Sequence, residues 1–432
     1  MKRLALIFLG IVSFTLRFYK LGVIPKGISM EEASFGLSIA KFFGDEILNP
    51  FFVRLPFAIL GILSVFVFYS LLCRFGESFK FSYLSSLLLT LTPWHIQESR
   101  IVSKGILLTF ILILLALIFS KQLKSRTKLL TYSAFLLSTL LFVATLLISL
   151  PKVSDAVDIE RQEAANVISV KMSRVFSNKA VESYRKNVFT IYEHLDYGVY
   201  FFNGHPRQRW GVEETQKLFI SFIPLIIIGI IKLRNNKGLL LGVLFIFLVT
   251  LFTFLEYRDP SETLPLVFIF VFFSASGLTY LLNKKENLKV FYILLLILGY
   301  EFFNFNVIYF LGLSESTFSP RRPVYEDLVK NVNHVRRNDE KVLVNERLLK
   351  PKIFFQFYLK DPAPNDFEFR NYNVWNEDDK NVLFVDVLPF EPSPTESLYT
   401  KEGNFPEKLT FLYEINDEQL KQTVFIYRYD KN

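Results

Sequence analysis

Two adjacent carboxylates, Glu31 and Glu32, stand between the first and second apolar segments of the chain. A carboxylate that is partly desolvated near an apolar surface holds protons more tightly, and it can act as a general base. The pair also has a structural explanation, because Ser29 and Glu32 fit a capping box and Glu31 suits the dipole of a first helical turn. The pattern predicts a short amphipathic helix over residues 30–43, and it leaves both roles open.

A second polar group lies at 92–100 and contains His95, Glu98 and Arg100. Pro93 is expected to end or kink a helix at this point. Arg100 is a natural partner for an anionic phosphate. Trp94 is also typical of the aromatic side chains that line a membrane–water interface, so simple interfacial packing is the alternative explanation of this group.

Composition limits the classes of function. The chain has 432 residues, 51% of them hydrophobic, and a net charge of +8 that is spread over short loops. This distribution does not resemble a nucleic-acid-binding face. The single cysteine, Cys73, excludes a CxxC redox or zinc site, and the four histidines are scattered. No cofactor is therefore predicted, although a divalent metal near Glu31, Glu32 and Glu98 stays open.

The elements that must position these residues are apolar helices. A membrane span needs about 20 mostly apolar residues. The segments that meet or nearly meet this length are 4–19, 51–73, 81–97, 105–120, 129–150, 217–233, 238–255, 263–282 and 288–312. Short basic loops alternate with longer loops of mixed charge, which predicts nine spans with the N-terminus in the cytoplasm and the C-terminus outside. Arg17 and Lys20 are expected to reach the outer interface.

The predicted organisation has two parts. Residues 1–312 form a transmembrane domain with large outer loops at 20–50 and 151–216. Residues 313–432 form a small extracytoplasmic α/β domain, since strand-like runs alternate there with a helical stretch. The runs are 341–345, 382–387 and 423–429, and the helical stretch is 325–337. The expected location is the plasma membrane, which the chain crosses several times.

Several passages together resemble one family. They are RFYKLGVIPKG at 17–27 with EEASFG at 31–36, RLPFAILG at 54–61, PWHIQESR at 93–100, and weaker runs at 200–204, 224–229 and 263–265. In this order they look like the GT-C superfamily of polytopic glycosyltransferases. Within it they are similar to the group of dolichyl-phosphate-mannose–protein mannosyltransferases and aminoarabinose-transferase-like proteins.

The resemblance implies transfer of a sugar from a polyprenyl phosphate, with inversion, on the outer face of the membrane. The acceptor would be a lipid, a glycan or a protein. By the same resemblance Glu31 and Glu32 take the places of the catalytic acidic motif. The residues at the substrate-binding positions would be His95, Glu98, Arg100 and Arg54. Membrane lipid is the other expected partner, and nucleic acid is not one.

The sequence also departs from the family pattern. Glu31 stands where the family has Asp, Glu98 replaces a hydrophobic residue, and several central spans are missing. The chain is therefore a reduced or diverged member by this interpretation. A non-catalytic relative that binds lipid-linked glycan or scaffolds an envelope complex is the alternative. A transporter is the third hypothesis, and it is disfavoured because the spans are nearly free of charge and the charged clusters lie at their outer ends.

Overall fold

The computed structural model describes residues 2–75, 77–120, 198–202, 216–233, 263–312, 323–337, 340–346, 348, 350–360, 366–370, 382–389, 409–417 and 422–429. These parts are mostly helical and include one small mixed sheet. The predicted spans 129–150 and 238–255 lie outside the described residues, as does most of the predicted outer loop 151–216.

The first part of the chain forms a set of helices that follow the apolar runs. They are α1 (Lys2–Phe18), α2 (Met30–Phe43), α3 (Pro50–Arg74), α4 (Phe79–Leu91), α5 (Pro93–Ser99), α6 (Lys104–Ser120), α7 (Gly198–Phe201), α8 (Phe222–Leu233), α9 (Leu266–Asn283) and α10 (Leu288–Asn306). A π-helix, Val307–Gly312, continues α10. Pro93 starts α5 at its first position, where its missing N–H costs nothing.

Three helices are long and apolar enough to cross a membrane, namely Pro50–Arg74, Leu266–Asn283 and Lys285–Leu311. A fourth span results if Pro93–Ser99 and Lys104–Ile118, which meet at a bend of 107°, are counted as one broken span. The described residues therefore support a membrane protein with three or four candidate spans by length and composition.

Close helix packing joins α8 to α9. A side chain added at Gly229 would collide with the carbonyl of Phe273, and one at Gly277 would collide with the carbonyl of Leu225. Small residues at such crossings let two backbones approach closely, as is common between helices in membranes. This crossing belongs to the larger apolar core, which also includes side chains of α1, α3 and α4.

The C-terminal part contains the sheet and two helices, α11 (Pro323–Val335) and α12 (Pro351–Leu359). The strands are β1 (Lys341–Asn345), β2 (Phe367–Arg370), β3 (Val382–Pro389), β4 (Leu409–Asp417) and β5 (Gln422–Tyr429). Their order is β2-β1-β3-β5-β4, with β1 parallel to β2 and β3, and β5 antiparallel to β3 and β4. The three strands and the helix predicted here are present, and β2, β4 and α12 are additional elements.

Helix α2 lies between the two parts. A second apolar core combines Ala33 and Ala40 of α2 and Val53 of α3 with buried side chains of the sheet, α11 and α12. The ring of Phe357 packs directly on the backbone of Gly36, because a Cβ there would come within 2.8 Å of the ring. The C-terminal part therefore rests on the helix that bears the acidic pair.

Candidate functional site

The acidic pair sits at the start of α2, and the capping box is confirmed. The Ser29 N–H donates to Oε2 of Glu32 over 2.8 Å, and the Glu32 N–H donates to Oγ of Ser29 over 3.2 Å. Each bond pairs a backbone donor that the first helical turn would leave without a partner. The cap fixes where α2 begins and how Glu31 and Glu32 are presented.

The two carboxylates have opposite surroundings. Glu32 is buried, and its Oε1 accepts a 2.9 Å bond from Nε of Arg54. Glu31 is exposed to solvent. Within the described part of the chain its carboxylate makes no hydrogen bond and no ion pair. Of the pair, Glu31 is thus the one that an incoming molecule can reach.

Arg54 is fully occupied by the protein itself. Besides Glu32, its guanidinium donates to three backbone carbonyls at 2.6–3.1 Å, those of Leu21, Pro25 and Gly27. These bonds hold the turn that leads from α1 into α2, and the side chain is buried. A planar guanidinium with several fixed donors suits this task better than an ammonium group would. Its predicted role in substrate binding stays a prediction.

Arg100 holds the same connecting segment from its other side. Nη1 and Nη2 donate to four carbonyls at 2.7–3.0 Å, those of Leu16, Arg17, Tyr19 and Ile24. The guanidinium also lies over the ring of Phe310, 5.0 Å from its centroid, as in a cation–π contact. Arg100 is buried, so its predicted contact with a lipid phosphate also stays a prediction.

His95 forms the centre of a buried chain of hydrogen bonds. Nη2 of Arg17 lies 2.6 Å from Nδ1 of His95, and Nε2 of His95 lies 2.9 Å from Oγ of Ser64. Ser64 in turn donates to the carbonyl of Gly61 over 2.8 Å. Because an arginine can only donate, Nδ1 must accept, and the proton of a neutral imidazole is placed on Nε2. The chain ties α1, α3 and α5 together.

Glu98 is also buried, at the bend between α5 and α6. Its Oε2 accepts a hydrogen bond from the Ser103 hydroxyl, and Oγ of Ser103 accepts the backbone N–H of Gly105 over 3.1 Å. The carboxylate therefore stabilises the start of α6. A substrate contact by Glu98 stays a prediction.

The buried groups carry an excess of positive charge. Arg17, Arg54 and Arg100 are all buried, and Arg54 is the one that pairs with Glu32. Among the described residues, Arg17 and Arg100 have hydrogen-bond acceptors but no carboxylate in an ion pair. Buried charge is costly unless it is compensated, and these three arginines outnumber the buried carboxylates of Glu32 and Glu98 by one.

The structure corrects the position of Arg17 and shows that Ser64 and Glu301 also help to join the helices. The expectation that Arg17 reaches the outer interface is wrong, because the side chain turns inward to Ser13 and His95 and is fully buried. Nothing in the sequence distinguishes Ser64, a serine within an apolar helix, as a partner of His95. Glu301 had a signal, as a lone acid in the apolar run 288–312, and it accepts the N–H groups of Ile220 and Ser221 at 2.9 and 3.2 Å.

No metal centre is found in the part of the chain that the structure describes, since it has no group of three or more His, Cys, Asp or Glu that could hold an ion. Glu31, Glu32 and Glu98, the residues near which a divalent metal was left open, do not form such a group. No family model, curated protein or solved structure matches the chain.

Proposed function

We propose that this protein is an integral-membrane glycosyltransferase that moves a sugar from a polyprenyl-phosphate donor to an acceptor on the extracytoplasmic face. The acceptor is a lipid, a glycan or a protein. The full proposal includes nine spans, an inside N-terminus, an outside C-terminal domain and a plasma-membrane location. Its main supports are the family-like passages in the sequence and the candidate spans of the described residues.

One structural observation carries the assignment of the base. Glu31 is an exposed carboxylate on a helical turn that is rigidly held by the Ser29 cap and the buried pair of Glu32 and Arg54. A base works best when the backbone that bears it is fixed and the carboxylate itself is accessible. Glu31 meets both conditions, whereas Glu32 is already committed to Arg54.

In the proposed reaction, Glu31 accepts the proton of an acceptor hydroxyl while that oxygen attacks the anomeric carbon of the sugar. The bond between this carbon and the phosphate oxygen breaks, and the electron pair leaves with the polyprenyl phosphate. Attack from the opposite side inverts the anomeric configuration. The buried arginines supply a positive potential toward the phosphate as negative charge builds up on it.

The proposal is tested with Glu31→Gln in membranes that contain the full chain, using a panel of polyprenyl-phosphate hexoses and pentoses. Loss of a general base lowers the turnover rate by about 100-fold or more. Glu31→Asp retains part of the activity, because it keeps the carboxylate one methylene nearer the backbone. Glu46→Gln, another exposed carboxylate nearby, is the matched control and leaves the rate unchanged. Full transfer after replacement of both Glu31 and Glu32 by Gln would refute the catalytic assignment.

A non-catalytic relative that binds lipid-linked glycan is the second candidate. It is favoured by one observation, which is that Arg54, His95 and the two terminal nitrogens of Arg100 form hydrogen bonds within the protein itself. Purified protein that binds a polyprenyl-phosphate sugar but never turns it over would support this function. Detectable turnover would exclude it.

A further inference from the structure

Two aromatic side chains at the end of α2 are largely uncovered by the part of the chain that the structure describes. Phe42 is 83% exposed and Phe43 is 72% exposed. Both belong to the helix that bears Glu31, yet they lie beyond the buried contacts made by Gly36 and Ala40. Adjacent exposed phenylalanines are unfavourable in water and mark a surface that meets another apolar phase.

The orientation of α2 is fixed by three attachments to the same end of α3. At its first turn Glu32 binds Arg54. Near its middle the ring of Phe35 packs edge-on against that of Phe57, with centroids 5.3 Å apart. At its end the short segment 44–49 leads back to the first residue of α3. Since all three points fall within the first two turns of α3, α2 lies across the end of that helix.

The length of α3 suits a membrane span whose ends reach the two membrane surfaces. A helix of 25 residues is about 37 Å long, compared with a hydrocarbon core of about 30 Å. Its first turns therefore lie at the boundary between headgroups and acyl chains. Phe52, in the first turn of α3, is also exposed, so the apolar surface of the span continues toward α2.

Before Phe42 and Phe43, the side of α2 that bears Gly36 and Ala40 is already covered. Phe357 of the C-terminal part packs on Gly36, and Ala33 and Ala40 belong to the same core. Gly44 then ends the helix with φ of +87°, a conformation that glycine adopts easily, and the chain turns back toward α3. Among the described residues, Phe42 and Phe43 therefore stay outside the protein core, close to the end of α3.

We infer that Phe42 and Phe43 insert into the headgroup–acyl boundary of the leaflet in which α3 begins, so that a lipid surface is their partner. The inference rests on the membrane placement in the proposed function. It does not depend on the transfer reaction. The insertion would anchor the C-terminal end of α2 at the bilayer surface.

The test uses spin labels on the full chain in nanodiscs of phosphatidylcholine and phosphatidylglycerol. Cys73, the single cysteine, is first replaced by Ser, and the labels are attached to Phe42→Cys or Phe43→Cys. Leu296→Cys, exposed in the span Lys285–Leu311, is the lipid control. Glu46→Cys, exposed just after α2, is the water control. Accessibility to oxygen and to a nickel chelate is measured by power saturation.

Labels at 42 and 43 are expected to collide with oxygen several-fold more often than with nickel, as the Leu296 label does and the Glu46 label does not. If the labels at 42 and 43 have the same accessibilities as the Glu46 label while the Leu296 label still reports lipid, the inference is overturned but the membrane placement is not. A water-like Leu296 label would overturn both the inference and the membrane placement. If the labels at 42 and 43 show low accessibility to both reagents and dipolar broadening, this surface binds a second copy of the chain. That result would also overturn the inference.

Discussion

Oε1 of Glu32 and Nε of Arg54 lie 2.9 Å apart, and each side chain is only 1% exposed. Both residues also bind the backbone. Glu32 accepts the N–H of Ser29 at the start of α2, and Arg54 donates to three carbonyls of the segment before α2. Taking two charges out of water is expensive, so the pair is a poor source of net stability. Its effect is to join α2 to α3 in one defined arrangement.

Removing one partner of this pair should therefore be severe. Arg54→Met leaves the carboxylate of Glu32 buried without a cation, and we expect a loss of about 3–5 kcal/mol in the free energy of unfolding. Thermal unfolding in detergent measures it. Lys330→Met is the control, since its pair with Glu326 is largely exposed and worth little. Equal destabilisation by the two variants would contradict the prediction.

The hydrogen bonds that connect Arg17, His95 and Ser64 lead to a second prediction. Ser64→Ala removes the acceptor for Nε2 of His95, and we expect a cost of about 1–3 kcal/mol because a buried N–H is left unpaired. Ser85→Ala is the matched control, since its buried hydroxyl donates only to the carbonyl of Phe81 in its own helix. The same thermal assay should show a clear drop for Ser64 and little change for Ser85. A larger loss of stability in Ser85→Ala than in Ser64→Ala would contradict the hydrogen bond between His95 and Ser64.

Space around Gly61 leads to a third prediction. A Cβ at Gly61 would overlap Ser99 and come within 3.0 Å of Nε of Arg17, whereas one at Gly299 would meet nothing within 4 Å. Gly61→Ala is expected to destabilise the protein by about 1–3 kcal/mol through overpacking. Gly299→Ala should be neutral or slightly stabilising, because alanine favours the helix. Unfolding temperatures that rank the two variants the other way would refute this packing.

The contact between Gly36 and Phe357 can be tested by a double-mutant cycle. Gly36→Ala pushes a methyl group toward the Phe357 ring and toward Val53, so we expect it to destabilise the protein and to raise hydrogen exchange in α2. Combined with Phe357→Leu, the effect should be smaller than the sum, with a coupling of about 0.5–3 kcal/mol. Strict additivity would mean that the two side chains do not touch in solution.

The helices were predictable because the information is local. Apolar runs located α1, α3, α6 and α9, and the Ser29–Glu32 spacing gave the start of α2. The same local reasoning missed β4, since a bulge between Phe411 and Tyr413 breaks its alternation. It also missed α12, whose aromatic residues favour a strand by propensity.

The site was less predictable than the fold. Arg54 and Arg100 could be named from the sequence, but their acceptors are backbone carbonyls of a turn, which leave no mark in the residue types. Arg17 was misplaced for a different reason. An arginine near the end of an apolar helix usually extends to water, whereas this one turns inward to His95. The burial of Glu32 depends on its pair with Arg54, a contact between distant residues that the sequence does not reveal.

The shared core of α2 and the C-terminal part has a consequence for how the protein is made. The backbone at Gly36 leaves the ribosome long before Phe357 is synthesised, yet the two pack together in the finished molecule. The apolar side of α2 must stay uncovered in the meantime, and such surfaces attract chaperones and promote misassembly. Biogenesis of the membrane part and of the C-terminal part is thereby coupled, and premature termination would leave α2 without its cover.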